Sequence, residues 1–445
     1  MPQLSKSVTD FINTVLEQIK YKKVHSTIAE ELNNHIFEQA QDYIADGMEE
    51  EEAFSKAVNQ MGNPIEIGKR LHKTHKPKTE WSIIALLAVI VVYGLYIISM
   101  YTSVFRNSQM LNKQLLFAVA GVCVLIVLYF FDYTKLEECS IPVYFITCAL
   151  WFLQIMWGSE LQGRSYIYIF GFGFNPSLIL IPVLLLCYSG LIKKWCDGTL
   201  QNMLKLIAAS ALPLVLMLIE PYLINMLITG AGFLAMLTFG IFGRNFKGNR
   251  KKTLLIIYGA LLGVAALLFI HIIGFHPYRV SRIATFFNPQ SDPQGAGWMY
   301  TMLDNILDSA KLISFNESFV NSIMDFNSPF PGASSEYILT FVIGSLGWLF
   351  GIIMIVLLGA LILRLFVASS KVRNEYGKYL CVGICCVFSL QVIVNVLMCL
   401  RLFPTFSVSL PFFSYGGASY LLNMALMGLL LGVYRRKDII KVREM

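Results

Sequence analysis

Polar and apolar residues are distributed differently before and after about residue 80 of this chain. Before that point, apolar positions recur every three or four residues among many charged ones, which is the spacing of amphipathic helices. Gly47 and the Gly62-Asn63-Pro64 step interrupt this pattern, and both are typical of helix ends. We therefore predict a small helical domain over residues 1–76, with helices at about 6–20, 24–46, 49–60 and 64–74.

After residue 80 the apolar runs become long enough to cross a bilayer, which requires about 20 apolar residues per helix. Polar segments separate these runs. The pattern predicts an all-α, polytopic membrane protein in which residues 81–436 form about ten transmembrane helices. The predicted spans lie at about 81–101, 115–131, 141–158, 176–192, 203–220, 221–243, 253–274, 337–365, 379–400 and 415–434.

The composition agrees with this architecture and excludes a mainly soluble protein. Hydrophobic residues make up 56% of the chain and charged residues 14%, against roughly 25% charged in a soluble globular protein. A net charge of +7 would indicate nucleic acid as a partner in a soluble domain. In a membrane protein the positions of the basic residues matter more than their sum, so no nucleic-acid partner is predicted.

The basic residues predict the orientation of the chain in the membrane. Four clusters of Lys and Arg fall on the same side as the N-terminal domain, and the positive-inside rule assigns that side to the cytoplasm. Both termini are therefore predicted to be cytoplasmic, and the one long loop, at about 275–336, is predicted to be exported. The clusters contain Lys193, Lys194 and Lys205, then Arg244, Lys247, Arg250, Lys251 and Lys252, then Lys371, Arg373 and Lys378, and finally Arg435, Arg436, Lys437, Lys441 and Arg443.

Cysteine and histidine spacing predicts no metal site. Most cysteines lie in apolar runs, and the histidines of the N-terminal domain have no Cys or carboxylate partners at ligand spacing. No cofactor is identified from the residues. A divalent cation is left open.

The most specific string in the chain is Pro404 to Asn423, "PTFSVSLPFFSYGGASYLLN". Its Ser414-Tyr415-Gly416-Gly417 step leads into an apolar span, where polar groups need protein, water or ligand partners. The two hydroxyls could line a substrate site, and the two glycines could allow a broken helix start. Alternatively, the small residues serve only close helix packing.

This string resembles the C-terminal signature of the SEDS family (FtsW, RodA and SpoVE), whose members polymerise peptidoglycan glycan strands from lipid II beside a class B penicillin-binding protein. Further stretches are similar to family motifs and occur in the family's order. These are "KQLLFAVAGVCVLIVLYFFDY", "GRSYIYIFGFGFNPS", "EPYLINMLI" and "YRVSRIATFFNPQSDPQGAGW". The resemblance covers about residues 81–436 and implies a multi-pass protein of the bacterial cytoplasmic membrane.

The N-terminal domain carries a second resemblance. Its stretch "EELNNHIFEQAQDYIADGMEEEEAFSKAVNQMGNPIEIG" is similar to the prefix domains found ahead of some bacterial permeases and in anti-sigma-like membrane regulators. This implies a docking module for a cytoplasmic partner.

On the SEDS resemblance, Asp292 matches the family's essential carboxylate. Glycan polymerisation requires a base, because a sugar hydroxyl loses a proton as it attacks an anomeric carbon. Pro293 and the glycines that follow predict a tight turn that holds the carboxylate. From the residues alone, Asp292 could instead cap that turn.

The resemblance also implies residues that bind the lipid-linked substrate. Arg279 and Arg282 lie three apart and could pair with its pyrophosphate, or instead with nearby carboxylates or the head groups of membrane lipids. Arg164 and Glu336 match polar family positions, and together with Ser414, Tyr415, Gly416 and Gly417 they complete the predicted substrate site.

Several family acids are replaced in this chain. Leu178 and Tyr222 stand where the family has carboxylates, and the stretches 334–337 and 344–347 also depart from its pattern. Because intramembrane acids are usually functional, three functions stay open. They are a SEDS-type glycosyltransferase, a non-catalytic scaffold whose N-terminal domain receives a partner, and a transporter that moves a lipid-linked precursor across the bilayer.

Overall fold

The structure is a computed structural model, and it describes residues 6–76, 78–105, 108–161, 164–169, 172–174, 177–219, 223–275, 284–313, 315, 319 and 330–437. The chain forms two compact units. The N-terminal unit contains Met1–Thr79 together with Val372–Asn374 and Tyr434–Met445. The membrane unit contains Glu80–Lys371 and Glu375–Val433.

The N-terminal unit consists of four amphipathic helices around an apolar core. They are α1 (Lys6–Glu17), α2 (His25–Ala45), α3 (Glu50–Met61) and α4 (Pro64–His75). Gly47 and Gly62 have positive φ angles of 90° and 86° and end α2 and α3 as the sequence predicts. The Asn63 side chain caps α4 by accepting the amide of Ile65 at 2.9 Å. The core is formed by Val8, Phe11, Ile12, Val15, Ile19, Val24, Ile28, Leu32, Ile36, Ala40 and Ala57.

The membrane unit is helical, which confirms the predicted all-α, polytopic architecture. Within the described residues, eight helices are long and apolar enough to cross a membrane. Two further helices, α9 and α12, occupy the remaining predicted spans. The helices are α5 (Trp81–Phe105), α6 (Ser108–Phe130), α7 (Lys135–Glu138), α8 (Ser140–Trp157), α9 (Ser177–Trp195), α10 (Leu200–Ile219), α11 (Leu223–Ile241), α12 (Arg250–Phe275), α13 (Trp298–Ser309), α14 (Ile338–Leu346), α15 (Trp348–Ser370), α16 (Glu375–Cys399) and α17 (Gly417–Arg435).

The predicted span 337–365 is wrong as a single helix. Gly347, with φ +101°, separates α14 from α15. The first amides of α15 then find acceptors outside the helix, because Trp348 donates to the Lys311 carbonyl and Leu349 to the Leu312 carbonyl, both at 3.0 Å. A Cβ at Gly347 would lie 2.7 Å from both carbonyl oxygens, so the close approach requires glycine.

The stretch between α8 and α9 forms a small antiparallel sheet that the sequence analysis did not predict. Its strands are β1 (Ser159–Leu161), β2 (Arg164–Ile169) and β3 (Phe172–Phe174), in the order β1-β2-β3. Ser159 pairs with Tyr166, and Ile167 pairs with Phe174. Aromatic and β-branched residues dominate β2, and these residue types favour strands.

Helices α6 and α17 pack closely through glycines of α17. A Cβ at Gly417 would lie 2.5 Å from the Phe117 ring, and one at Gly428 would lie 2.7 Å from the Leu125 carbonyl oxygen. The residue numbers of the contacting positions increase in the same direction along both helices, so the helices run parallel. Parallel spans end on the same side of a membrane, as the predicted second and tenth spans must.

Candidate functional site

Asp292, the predicted base, lies in an exposed turn immediately before α13. Its Oδ1 accepts a hydrogen bond from the Gly295 amide at 3.1 Å, and its Oδ2 accepts one from the Ala296 amide at 2.8 Å. Its main-chain oxygen accepts the Gly297 amide at 2.9 Å. The carboxylate therefore caps the turn, as one interpretation of the sequence expected. A carboxylate has about four lone-pair sites, so these contacts leave acceptor capacity on an exposed group.

Gly297 is required by the geometry of this turn, and Gly295 leaves room for the Asp292 carboxylate. A Cβ at Gly295 would collide with the Asp292 carboxylate, and a Cβ at Gly297 would collide with the Pro289 carbonyl oxygen. Larger residues at either position would displace the carboxylate or the backbone beneath it. The sequence prediction of a tight turn after Asp292 is thus confirmed in detail.

Arg401, which the sequence analysis did not single out, joins both sides of this turn to the end of α16. Its guanidinium Nη2 donates to the Phe286 carbonyl at 2.9 Å, and its Nε lies 3.3 Å from Asp304 Oδ1. The guanidinium carbon stands 4.9 Å from the Phe286 ring centroid and 4.6 Å from that of Tyr300. Because Phe286 precedes Asp292 and the other two residues follow it, a single side chain fixes the turn from both directions.

The signature string is attached to the same helix. The buried Tyr300 hydroxyl of α13 accepts from the Thr405 amide and from the Thr405 hydroxyl, each at 3.3 Å. Thr405 follows the first residue of the "PTFSVSLPFFSYGGASYLLN" stretch. Helix α13, which follows the Asp292 turn, therefore contacts the start of the signature string, although the two are far apart in sequence.

Ser414, predicted to bind substrate, uses its hydroxyl inside the protein. The hydroxyl is buried, donates to the Ser335 carbonyl at 2.6 Å and accepts the Leu410 amide at 2.8 Å. The Tyr415 amide donates to the Ser334 carbonyl at 2.8 Å. These contacts support a packing role for Ser414, and they join the signature string to the stretch 334–337.

Glu336 lies half-buried in the turn that precedes α14. Its carboxylate Oε2 accepts the Ser335 hydroxyl, and its main-chain oxygen accepts the Asn395 side-chain amide at 2.8 Å. The same amide group also donates to the Val408 carbonyl at 2.6 Å. A buried asparagine thus holds the predicted substrate residue and the signature string together.

The three other signature residues differ in their surroundings. Tyr415 and Gly416 are half-buried, and a Cβ at Gly416 would meet nothing within 4 Å. Gly416 has φ +151°, a conformation that L side chains rarely adopt. Gly417 begins α17 against Phe117. Gly416 therefore supplies the chain conformation for a helix start, whereas Gly417 supplies close packing.

Some predicted site residues cannot be placed beside this site. Arg279 and Arg282 lie outside the described residues, and so does Tyr222, which was not predicted as a site residue. The backbone of Arg164 begins β2 opposite Leu161, and its side chain is outside the description. Within the described ranges, no group of three or more His, Cys, Asp or Glu side chains could hold a metal ion.

Arg401 did have a signal in the sequence. It is a lone cation between the apolar end of α16 and Pro404. A charge at the end of a span normally meets water, lipid head groups or a partner. Its partners, however, lie about a hundred residues earlier, so the sequence alone does not identify them.

Comparison with known proteins identifies the family. Residues 75–439 match the FtsW/RodA/SpoVE family of cell cycle proteins. A probable peptidoglycan glycosyltransferase FtsW from Trichlorobacter lovleyi is 27% identical over 369 residues, covering 80% of this chain and 93% of the relative. The stage V sporulation protein E of Bacillus subtilis is 28% identical over 182 residues, covering 40% of this chain and 48% of the relative.

The fold agrees with a solved structure. One chain from a peptidoglycan synthase complex that coordinates polymerization and crosslinking superposes with a TM-score of 0.65, at 21% identity, covering 81% of this chain and 98% of that one. The apolar helices of the present chain and its match to this family show that it is a multi-pass protein of the cytoplasmic membrane. The resemblance drawn from the motifs is confirmed, and the chain belongs to the FtsW/RodA/SpoVE, or SEDS, family.

Proposed function

We propose that this protein is a peptidoglycan glycosyltransferase of the SEDS type that acts on lipid II at the outer face of the cytoplasmic membrane. The relatives named as glycosyltransferases and the family match over most of the chain support this assignment. The structural observation that carries it is the exposed Asp292 carboxylate, held by two backbone amides on a turn that Arg401 fixes from both sides. A scaffold would have no need of a positioned base at this place.

In the proposed reaction, the Asp292 carboxylate takes the proton of an acceptor sugar hydroxyl as its oxygen attacks the anomeric carbon of the donor. A new glycosidic C–O bond forms, and the C–O bond to the lipid pyrophosphate breaks. The bonding electron pair and the negative charge leave with the pyrophosphate. A positioned general base contributes about 10² to 10⁴ in rate.

The leaving pyrophosphate requires cationic partners. Arg279 and Arg282 are proposed for that role, because they precede Asp292 in the same exported loop and their guanidinium groups can form charge-assisted hydrogen bonds. Arg164 and the Glu336 carboxylate are proposed as further substrate contacts. The contacts of Ser414 give it a supporting role at this site, holding the signature string to the stretch 334–337.

The orientation and partners follow from the same proposal. The basic clusters favour both termini in the cytoplasm, and Asp292 is on the exported side in this proposed orientation. A class B penicillin-binding protein is the proposed partner, supported by the likeness to a chain of a peptidoglycan synthase complex. The N-terminal unit, proposed as a separable domain of about residues 1–76, is available to dock a cytoplasmic partner.

A second candidate function is a non-catalytic scaffold. What favours it is the resemblance of the motifs, by which Leu178 and Tyr222 stand where the family has carboxylates. Purified wild-type protein, supplied with labelled lipid II and a class B penicillin-binding protein, separates the two candidates. The enzyme proposal expects glycan strands on a gel. Complete absence of strands, with normal recruitment of the partner in cells, would support the scaffold.

A further inference from the structure

The N-terminal unit separates its charges between different helices. Residues 25–61, which contain α2 and α3, carry nine carboxylates and one lysine. Residues 64–79, which contain α4 and the linker to the first span, carry five basic side chains and one carboxylate. The carboxylates of both segments are exposed, and so are the five basic side chains of residues 64–79. Helices α2 and α3 are therefore the acidic part of the unit, and α4 with the linker is one of its basic parts.

The basic residues of α4 form a fixed outward face. Lys69, Arg70 and Lys73 lie at helical spacing on one side, with Glu66 as the one carboxylate among them. Ile67 and Leu71 lie on the other side and pack against the apolar core of the unit. Among the described residues, the side chains of the three cations have no hydrogen-bond or ion-pair partner. Their charge is thus available to a partner outside the chain.

The covalent chain keeps this face near the membrane. Helix α4 ends at His75 and the first span begins at Trp81, so five residues separate them. Five extended residues reach at most about 18 Å. Within the N-terminal unit, the Lys78 amide donates to the carbonyl of Arg435, the last residue of α17, at 3.3 Å. This hydrogen bond holds Lys78 of the linker to Arg435 within the same unit.

We propose that the exposed basic face of α4, formed by Lys69, Arg70 and Lys73, binds anionic phospholipid head groups of the bilayer that the chain itself spans. Basic segments next to a transmembrane helix are attracted to an anionic leaflet, and the attraction decays over a Debye length of about 8 to 10 Å. Guanidinium and ammonium groups both form charge-assisted bonds to phosphate oxygens. The acidic helices α2 and α3 are repelled by the same surface, so the charge separation also orients the unit.

The test uses the full-length protein in lipid nanodiscs with a photo-crosslinking amino acid at Thr74. This position is exposed on α4, one turn after Arg70. Lipid adducts are measured by mass spectrometry in discs of phosphatidylcholine and in discs that also contain phosphatidylglycerol. We expect about tenfold more adducts in the anionic discs, and a smaller difference between the two kinds of disc at about 0.5 M salt. The crosslinker at the exposed Asn34 of α2 serves as the reference position and should give few lipid adducts in either disc.

Charge reversal identifies the residues responsible. Lys69→Glu, Arg70→Glu and Lys73→Glu together should remove the excess of adducts in anionic discs. The matched variant Lys6→Glu, Lys20→Glu and Lys22→Glu makes the same change of charge at exposed positions of the same unit and should retain the excess. Equal adduct yields in the two lipids, or an excess that survives reversal of the α4 charges, would overturn the proposal. The same crosslinker can be used in native membranes. If it forms adducts with protein there, and its lipid adducts show no preference for anionic lipids, the proposal is overturned in favour of a protein partner. None of these outcomes depends on glycosyl transfer.

Discussion

The guanidinium Nε of Arg401 lies 3.3 Å from Oδ1 of Asp304, and this ion pair joins the end of α16 to α13. The Arg401 side chain is largely buried, whereas that of Asp304 is about half-exposed. The rings of Phe286 and Tyr300 also lie against the Arg401 guanidinium, so the ion pair is one of several contacts that hold this side chain. Through this side chain, the C-terminal part of the chain controls the position of the turn that carries Asp292.

Arg401 has φ +64°, which leads to a prediction about stability. Arg401→Ala removes the ion pair and the ring contacts but keeps a Cβ in the left-handed conformation, which costs about 1 to 2 kcal/mol. Arg401→Gly removes the same contacts and relieves that cost. We expect the glycine variant to be more stable than the alanine variant by about 1 kcal/mol, measured by thermal unfolding in detergent. Both variants should lose polymerisation activity, and a fully active alanine variant would contradict the proposed positioning role.

The close packing of α6 and α17 predicts a sharp difference between two glycines. Gly428→Ala places a methyl group against the Leu125 carbonyl oxygen, and overpacking of this kind costs about 1 to 3 kcal/mol. Gly359→Ala on α15 is the control, because a Cβ there meets nothing within 4 Å. Thermal unfolding of the two variants in the same detergent should show a clear loss only for Gly428→Ala. Equal unfolding temperatures would show that the two helices are not in close contact.

The orientation can be tested by reporter fusions. The basic clusters predict that Arg250 is cytoplasmic and that Ser291 is on the exported side. An alkaline phosphatase fusion should therefore be active after Ser291 and inactive after Arg250, and a cytoplasmic reporter should give the reverse. Two fusions that report the same side would refute the predicted topology.

The N-terminal unit has its own apolar core, and the first span begins after it. We therefore expect a protein that starts at Lys78 to insert into the membrane and fold, because the span from Trp81 supplies targeting. Membrane fractionation and size-exclusion chromatography measure this outcome. Loss of all membrane-integrated protein on truncation would count against a separable domain.

The sequence predicted the helical architecture because apolar runs of about 20 residues determine membrane spans locally. It did not predict the break at Gly347, since the carbonyls that cap α15 belong to Lys311 and Leu312, which are distant in sequence. The strands at 159–174 were also missed. Their aromatic and β-branched residues lie in a stretch of low charge that gives no clear boundary.

The candidate site was also predictable from the sequence only in part. The turn at Asp292 was predictable because aspartate, proline and glycine specify turns through local geometry. The roles of Arg401 and Asn395 were not, because each contacts main-chain carbonyls far along the chain. Ser414 carries a typical substrate-binding group, yet its hydroxyl is engaged by the Ser335 carbonyl.

The proposed role of Asp292 as the general base is tested most directly by Asp292→Asn. Asparagine keeps the size of the side chain and can still accept a hydrogen bond in the turn, but it cannot take up the proton. The matched control is Asp308→Asn, which removes an exposed carboxylate from α13, the helix that follows the Asp292 turn. Both proteins are compared with wild type for binding of labelled lipid II and for the rate of glycan-strand formation, with a class B penicillin-binding protein present.

We expect Asp292→Asn to lower the rate of strand formation by about two to four orders of magnitude. Binding of lipid II should change much less, and Asp308→Asn should retain most of the wild-type rate. A wild-type protein that forms strands at a rate unaffected by Asp292→Asn would contradict the claim.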